Sequence, residues 1–150
     1  MHKILFVCHG NICRSPMAEF VMKDLVQKAG RANEFVIDSC AVSNEEQGNP
    51  IYPPAKRKMQ EHGIPFDAHR AHKITKSEFD AYDLVILMDQ SNLNILSRIV
   101  GRDNLDKVHM LMSYAGSSRD VADPWYSGDF ERAYRDILEG CKGLLKALTD

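Results

Sequence analysis

Residues 3–15 read KILFVCHGNICRS, and they set the fold of the chain. The apolar run at 3–8 is typical of a buried strand, and it ends at a turn that contains Gly10. From Ser15 onward apolar residues recur three and four positions apart, which predicts a helix that Gly30 ends as a cap. These apolar positions are Ala18, Val21, Met22, Leu25, Val26 and Ala29. The segment therefore predicts a strand, a tight turn and a helix in succession.

The rest of the chain repeats this alternation. Further strands are predicted at 34–42, 84–88 and 107–112, and further helices at 53–61, 91–100 and from Phe130 to Leu148. The run at 84–88 is apolar on both faces, as strands of parallel sheets are. Residues 1–150 are thus expected to form one α/β domain, a doubly wound and mainly four-stranded parallel sheet with helices on both faces. Ligands bind such sheets beyond the carboxyl ends of the strands, where Cys8 lies.

Composition limits the classes of function. The 150 residues suit one domain with one core. A net charge of -2 indicates no broad positive surface that would attract nucleic acid or an anionic membrane. No signal peptide and no apolar stretch of the roughly 20 residues that span a bilayer is recognised. The four cysteines, Cys8, Cys13, Cys40 and Cys141, are interpreted as thiols in a reducing cytoplasm. No metal or cofactor is expected.

The turn after the first strand has the residues of a phosphate cradle. Gly10 and Asn11 readily take the left-handed conformations that turn successive backbone N–H groups toward an anion. The following helix directs its positive end at the same point, and Arg14 offers a planar fork that matches two phosphate oxygens. We expect a phosphate-binding loop made by His9, Gly10, Asn11, Ile12, Cys13, Arg14 and Ser15.

The positive end of the helix and the charge of Arg14 also favour the thiolate of Cys8, which is the nucleophilic form of a cysteine. Ser15 is placed to donate a hydrogen bond to the sulfur and to help it leave. The alternatives are that Cys8 is a buried structural thiol, or that Cys8 and Cys13 bind a metal. No second Cys/His pair at suitable spacing completes a zinc site.

A second segment, Asp123-Pro124-Trp125-Tyr126, can supply an acid. Pro124 favours an extended Asp123, whose carboxyl group can protonate a leaving group and later accept a proton from water. Trp125 and Tyr126, together with Ile12, can wall a slot for an aromatic phosphoester. The alternative is a plain turn with Asp123 exposed and the aromatic side chains in the core.

The two segments CHGNICRSP at 8–16 and DPWY at 123–126 resemble the signatures of the low-molecular-weight protein tyrosine phosphatases. The resemblance covers essentially the whole chain. It implies hydrolysis of phosphotyrosine in proteins, or of small aryl phosphates, to inorganic phosphate through a phosphocysteine on Cys8, with Arg14 and Asp123 as the other catalytic residues. It also implies that Asn11, Ser15, Ser39 and His69 form a polar network around the loop. Cys13 would protect an oxidised Cys8 by forming a disulfide.

Other functions remain open on the sequence. A phosphoarginine phosphatase is close, but relatives with that activity carry Thr where this chain has Ile12. A non-catalytic phosphate-binding module or a phosphocysteine relay would not need Asp123. An arsenate reductase would need further cysteines near the third strand, and 82–89 has none. The polar, acidic stretch 43–50 departs from relatives that place an aromatic wall there. The sequence therefore does not determine the outer rim of the pocket or the preference among protein substrates.

Overall fold

A computed structural model describes residues 1–149 and confirms the predicted α/β fold. Four strands form one sheet in the order β2-β1-β3-β4, and every neighbouring pair is parallel. The strands are β1 His2–Cys8, β2 Phe35–Ala41, β3 Leu84–Leu87 and β4 Val108–Met110. The helices are α1 Arg14–Lys28, α2 Pro53–Glu61, α3 Lys76–Ala81, α4 Gln90–Val100, α5 Pro124–Ser127 and α6 Phe130–Thr149.

Helices cover both faces of the sheet because side chains alternate along the central strand. Ile4 and Phe6 of β1 point into a core shared with α1, α2 and α6. Leu5 and Val7 point the other way, toward α3 and α4. All four side chains are fully buried, as expected for a central parallel strand.

The strand order places a ligand crevice at the end of β1. The chain moves from β1 outward to β2, and then returns to place β3 on the other side of β1. Such a reversal of direction opens a crevice between the carboxyl ends of the two central strands. Cys8 ends β1, and Asp89 follows β3 by two residues.

The fourth strand is shorter than the predicted 107–112. Leu111 and Met112 belong to a 3-10 turn, Leu111–Ala115, and both are buried. Both side chains join the core shared with α6, so the chain leaves the sheet here and turns toward that helix. Gly143 allows this close approach, because a methyl group there would overlap the Tyr114 carbonyl oxygen.

Two short helices, α3 and α5, were absent from the sequence prediction. Helix α3 has six residues, of which only Phe79 is buried, so it carries almost no periodic signal. Thr75 starts it: the Oγ1 atom accepts a hydrogen bond of 3.1 Å from Glu78 N. Within residues 1–149, none of the helices combines the length and apolar character needed to cross a lipid bilayer.

Candidate active site

The loop between β1 and α1 curls around the sulfur of Cys8. The Asn11 backbone N–H donates to Cys8 Sγ at 3.2 Å, and Ser15 Oγ lies 3.0 Å from the same atom. Asn11 has a φ of 61° and is, within residues 1–149, the only non-glycine residue with positive φ. Asparagine tolerates this left-handed conformation better than most residues, which is why the loop can turn here.

The expectation for Gly10 was wrong, because Gly10 is not among the residues with positive φ. Its lack of a side chain matters in a different way. A Cβ atom at this position would lie 3.3 Å from Glu46 Cγ, tighter than ordinary packing. Gly10 therefore allows the acidic segment to approach the loop closely. It does not supply a left-handed backbone conformation.

The side chain of Asn11 is the centre of a buried hydrogen-bond network. Its Nδ2 donates to Ser15 Oγ at 2.8 Å and to Ser39 Oγ at 3.1 Å. Its Oδ1 accepts from His69 Nε2 at 2.8 Å and from the His72 backbone N–H at 3.3 Å. The structure thus brings together all four residues predicted for a supporting network, although they lie up to 58 positions apart.

The sequence analysis missed the buried acid of this network, Glu19 on α1. Glu19 Oε1 accepts from Ser39 Oγ at 2.6 Å, and Lys23 pairs with the second oxygen at 2.6 Å. Burial lowers the pKa of His69, which favours the neutral ring that donates from Nε2 to Asn11. The sequence did contain a signal for this residue, because Glu19 is a carboxylate placed next to Ala18 on a helix face that was expected to be buried.

Arg14 begins α1 and is almost completely buried under the loop. Its Nη1 donates to Asp89 Oδ2 at 2.7 Å and to the Val121 carbonyl oxygen at 2.8 Å. Its Nη2 lies 3.5 Å from Asp123 Oδ2. Burial alone would lower the pKa of Arg14, but the charges of Cys8 and Asp89 outweigh it and raise that pKa. The guanidinium group therefore stays charged and fixed in the crevice.

Asp123 has the extended backbone that Pro124 was expected to favour, with φ of −79° and ψ of 111°. Its Oδ1 accepts from the Trp125 N–H at 3.0 Å, so it caps the short helix α5. Its Oδ2 faces Arg14. The carboxyl group is thus both oriented by the loop and placed beside the guanidinium.

The loop that carries Asp123 is anchored at its base by a pair that the sequence did not reveal. Both terminal nitrogens of Arg119 donate to the carboxylate of Asp136 on α6 at 2.7 Å. The Val121 N–H donates to the Met88 carbonyl oxygen at 2.9 Å. These contacts connect the loop both to the final helix and to the end of β3.

A cavity of about 210 Å³ lies over Cys8. Trp125 and Tyr126 stand at its mouth, 51% and 86% exposed, so they are not core residues. Tyr52, which the sequence analysis overlooked, packs against Trp125 with ring centroids 4.8 Å apart. The lining residues are Cys8, His9, Gly10, Asn11, Ile12, Cys13, Arg14, Glu45, Glu46, Asp123, Trp125 and Tyr126.

Cys13 also lines this cavity, and burial raises its pKa well above the usual cysteine value, with the charge of Cys8 adding to the effect. Cys13 therefore stays a thiol. All four cysteines are free.

Two groups of side chains elsewhere come close enough to share a metal ion, Glu19 with Asp38 and His69, and Glu61 with His62 and Glu131. Neither group contributes to the lining of the cavity within residues 1–149. Lysine side chains already pair with carboxylates of both groups, Lys23 with Glu19 at 2.6 Å and Lys58 with Glu131 at 3.1 Å.

Comparison with known proteins agrees with this geometry. The model of the family described as low molecular weight phosphotyrosine protein phosphatase matches residues 3–150. The chain belongs to this family.

Several members are similar over nearly their whole length. The chain is 36% identical over 150 residues to the low molecular weight protein-tyrosine-phosphatase YfkJ of Bacillus subtilis, covering 99% of this chain and 96% of that protein. The crystal structure of YfkJ superposes with a TM-score of 0.95, covering 99% of this chain and 94% of that one. The human low molecular weight phosphotyrosine protein phosphatase is 38% identical over 148 residues, covering 95% of this chain and 93% of that protein.

A further solved structure is that of DARP, a Drosophila arginine phosphatase. It is 30% identical, with a TM-score of 0.88 over 99% of this chain and 98% of that one.

Proposed function

We propose that this phosphatase hydrolyses phosphotyrosine, and small aryl phosphates, through a phosphocysteine on Cys8. The observation that carries the proposal is the position of Cys8 Sγ at the floor of a cavity that Arg14 and Asp123 also line. The family membership supports the reaction class. The residue roles follow from the contacts of each group.

In the first step the thiolate of Cys8 attacks phosphorus, and an S–P bond forms as the P–O bond to the phenol breaks. The backbone N–H groups of the loop and the fork of Arg14 receive the equatorial oxygens, so their charge is met by fixed donors. Asp123 gives its proton to the departing phenolic oxygen. Protonation matters because a phenol leaves much more readily than a phenoxide.

In the second step water attacks the phosphocysteine, the S–P bond breaks, and inorganic phosphate is released. Asp123, now a carboxylate, accepts a proton from the attacking water. Ser15 Oγ, 3.0 Å from the sulfur, donates a hydrogen bond to the thiolate that leaves. The two proposed steps use only groups of the chain itself and water, and a reducing cytoplasm suits a thiol nucleophile.

The aromatic surroundings of the cavity support phosphotyrosine as the substrate. Ile12 lines the cavity, and Trp125 with Tyr52 behind it forms an aromatic wall. A tyrosine ring can lie against these apolar surfaces while its phosphate reaches Arg14. The shorter stem of phosphoserine would leave its phosphate above the loop.

Phosphoarginine is the second candidate, since one similar structure is an arginine phosphatase. The guanidinium of that substrate would press polar N–H groups against the side chain of Ile12. An unsatisfied buried polar group costs roughly 1–3 kcal/mol, which corresponds to about 5- to 150-fold discrimination. Ile12 therefore favours phosphotyrosine.

The test compares kcat/KM on matched peptides that carry phosphotyrosine, phosphoarginine or phosphoserine, with a chelator present. We expect phosphotyrosine to be best, phosphoarginine next and phosphoserine far below, and Ile12→Thr to narrow the first gap. Cys8→Ser should lose turnover but still bind phosphate, whereas Arg14→Ala should lose both. Turnover by purified Cys8→Ser would contradict the covalent mechanism, and phosphoarginine as the better substrate would overturn the assignment to tyrosine.

A further inference from the structure

We propose that Glu45 and Glu46 select phosphotyrosines that lie among lysine and arginine residues. This inference rests on the proposed function, because it concerns the peptide on either side of the phosphorylated side chain. Both glutamates line the same cavity as Cys8, within the acidic stretch that the sequence could not place. The stretch lines the cavity together with the loop that bears Asp123.

Glu45 is held in place yet open to solvent. Its Oε2 accepts a hydrogen bond of 2.9 Å from His9 Nε2, and its side chain is 67% exposed. Since a carboxylate can only accept, His9 must carry a proton on Nε2 in this contact. His9 is the residue next to the nucleophile, so the pair fixes Glu45 at the edge of the phosphate loop.

Glu46 is positioned from both sides. Its Oε2 accepts from Asn49 Nδ2 at 2.6 Å, and its Cγ lies close over Gly10. The charge of Glu46 is also among those that raise the pKa of Cys13, after burial and nearer charges. Its carboxylate is therefore close enough to act on the cavity and is fixed by a neighbour.

The charges around the cavity are divided between floor and mouth. Arg14 is the only lysine or arginine among the lining residues within residues 1–149, and it is buried and bound to Asp89. A phosphate dianion thus finds its donors at the floor. The residues that flank it in a peptide meet Glu45 and Glu46, which attract cations and repel acids.

The size of the expected difference between peptides is limited, because the side chain of Glu45 is exposed to solvent. An exposed ion pair changes an equilibrium constant by up to about 5-fold, and a repelled acid changes it in the opposite direction. Matched peptides that carry lysine or glutamate beside the phosphotyrosine should therefore differ about 2- to 25-fold. Because salt screens exposed charges, the difference should shrink at high ionic strength.

The experiment measures kcat/KM for this peptide pair with the wild type, with the double variant Glu45→Gln/Glu46→Gln, and with Glu34→Gln. Glu34 serves as the matched control, because it precedes β2 and so lies at the amino ends of the strands, away from the carboxyl ends where the cavity lies. The ratio of the two peptides cancels any general change in the chemistry. We expect the wild type and Glu34→Gln to prefer the lysine peptide, and the double variant to bring the ratio close to one.

A wild type that treats both peptides alike, or prefers the acidic one, would overturn the inference, as would an unchanged ratio in the double variant. A small aryl phosphate with no charged group besides the phosphate serves as the reference for catalysis itself. If the wild type fails to hydrolyse it, the proposed function falls, and the charge preference is then measured as the ratio of Kd values for the two peptides on Cys8→Ser. The two failures can therefore be told apart.

Discussion

Replacing Asn11 by glycine and by alanine separates two contributions to the loop around Cys8. Glycine removes the side chain but accepts the φ of 61° without strain. Alanine removes the same side chain and must also adopt the left-handed conformation. The difference between the two variants isolates the backbone, and the loss that they share isolates the hydrogen-bond network.

The shared loss can be worked out from the partners. Ser15 Oγ keeps its contact with Cys8, and Ser39 Oγ keeps Glu19, so neither hydroxyl is left alone. The donors of His69 and His72 lose their common acceptor on Asn11. Each buried donor without a partner costs roughly 1–3 kcal/mol, so both variants should lose about 2–6 kcal/mol of unfolding free energy.

Alanine should lose more than glycine at this position. The left-handed conformation costs a residue with a Cβ roughly 1–2 kcal/mol. The greater freedom of glycine in the unfolded chain returns about 0.4–1 kcal/mol of this difference. We therefore expect Asn11→Ala to be less stable than Asn11→Gly by about 0.8 kcal/mol, the difference between the midpoints of these two ranges.

Urea unfolding measures the free energy of unfolding of each variant, and kcat/KM on an aryl phosphate measures how well the loop still supports catalysis. Asn33 is the control, since it is exposed and is not among the positive-φ residues, so alanine there should be at least as stable as glycine. Both Asn11 variants should lose activity, by up to about 100-fold if the donors shift by about 1 Å. Alanine as stable as glycine at Asn11 would refute the backbone reasoning, and unchanged activity would refute the role of the network.

Three further outcomes are expected. Asp123→Asn should slow the release of weakly acidic phenols by about 10²- to 10⁴-fold and of strongly acidic phenols much less; an equal loss across a series of leaving groups would remove Asp123 from the role of acid. Mild peroxide should inactivate the wild type reversibly but Cys13→Ser irreversibly, and mass spectrometry that finds no Cys8–Cys13 bond in the inactive wild type would contradict this protection. The hydrogen bond that His72 donates to the Glu78 carboxylate raises the pKa of His72, so this contact stabilises the fold fully below the ordinary histidine pKa and less as the pH rises past the raised value. Urea unfolding from about pH 6 to 9 should show Glu78→Gln destabilised by less than about 1 kcal/mol, with the gap closing at high pH, and a gap that widens would reverse the assigned sign.

Most of the fold could be predicted because local patterns coincide with the tertiary arrangement. A strand that is buried on both faces reads as an unbroken apolar run, as 84–88 does, and β3 formed there at Leu84–Leu87. The prediction failed where few residues carry the pattern. Helix α3 buries a single apolar residue, and β4 ended early because Leu111 turns toward α6.

The sequence alone determined the residues that meet around the sulfur, because Cys8 to Ser15 are neighbours along one short loop. A strand end, a turn and a helix start suffice to bring Arg14 and the backbone N–H groups to one point. Even within this loop the prediction was incomplete. Both Gly10 and Asn11 were expected to be left-handed, and only Asn11 is.

Only the tertiary structure decided which distant side chains complete the site. Asp123 reaches Arg14 across 109 positions at the crevice beyond β1 and β3, and His69 reaches Asn11 across 58. The place of Glu45 at the mouth was likewise undetermined by a polar stretch without periodicity. Such contacts depend on packing between elements, and no local pattern in the chain records which loops will face each other.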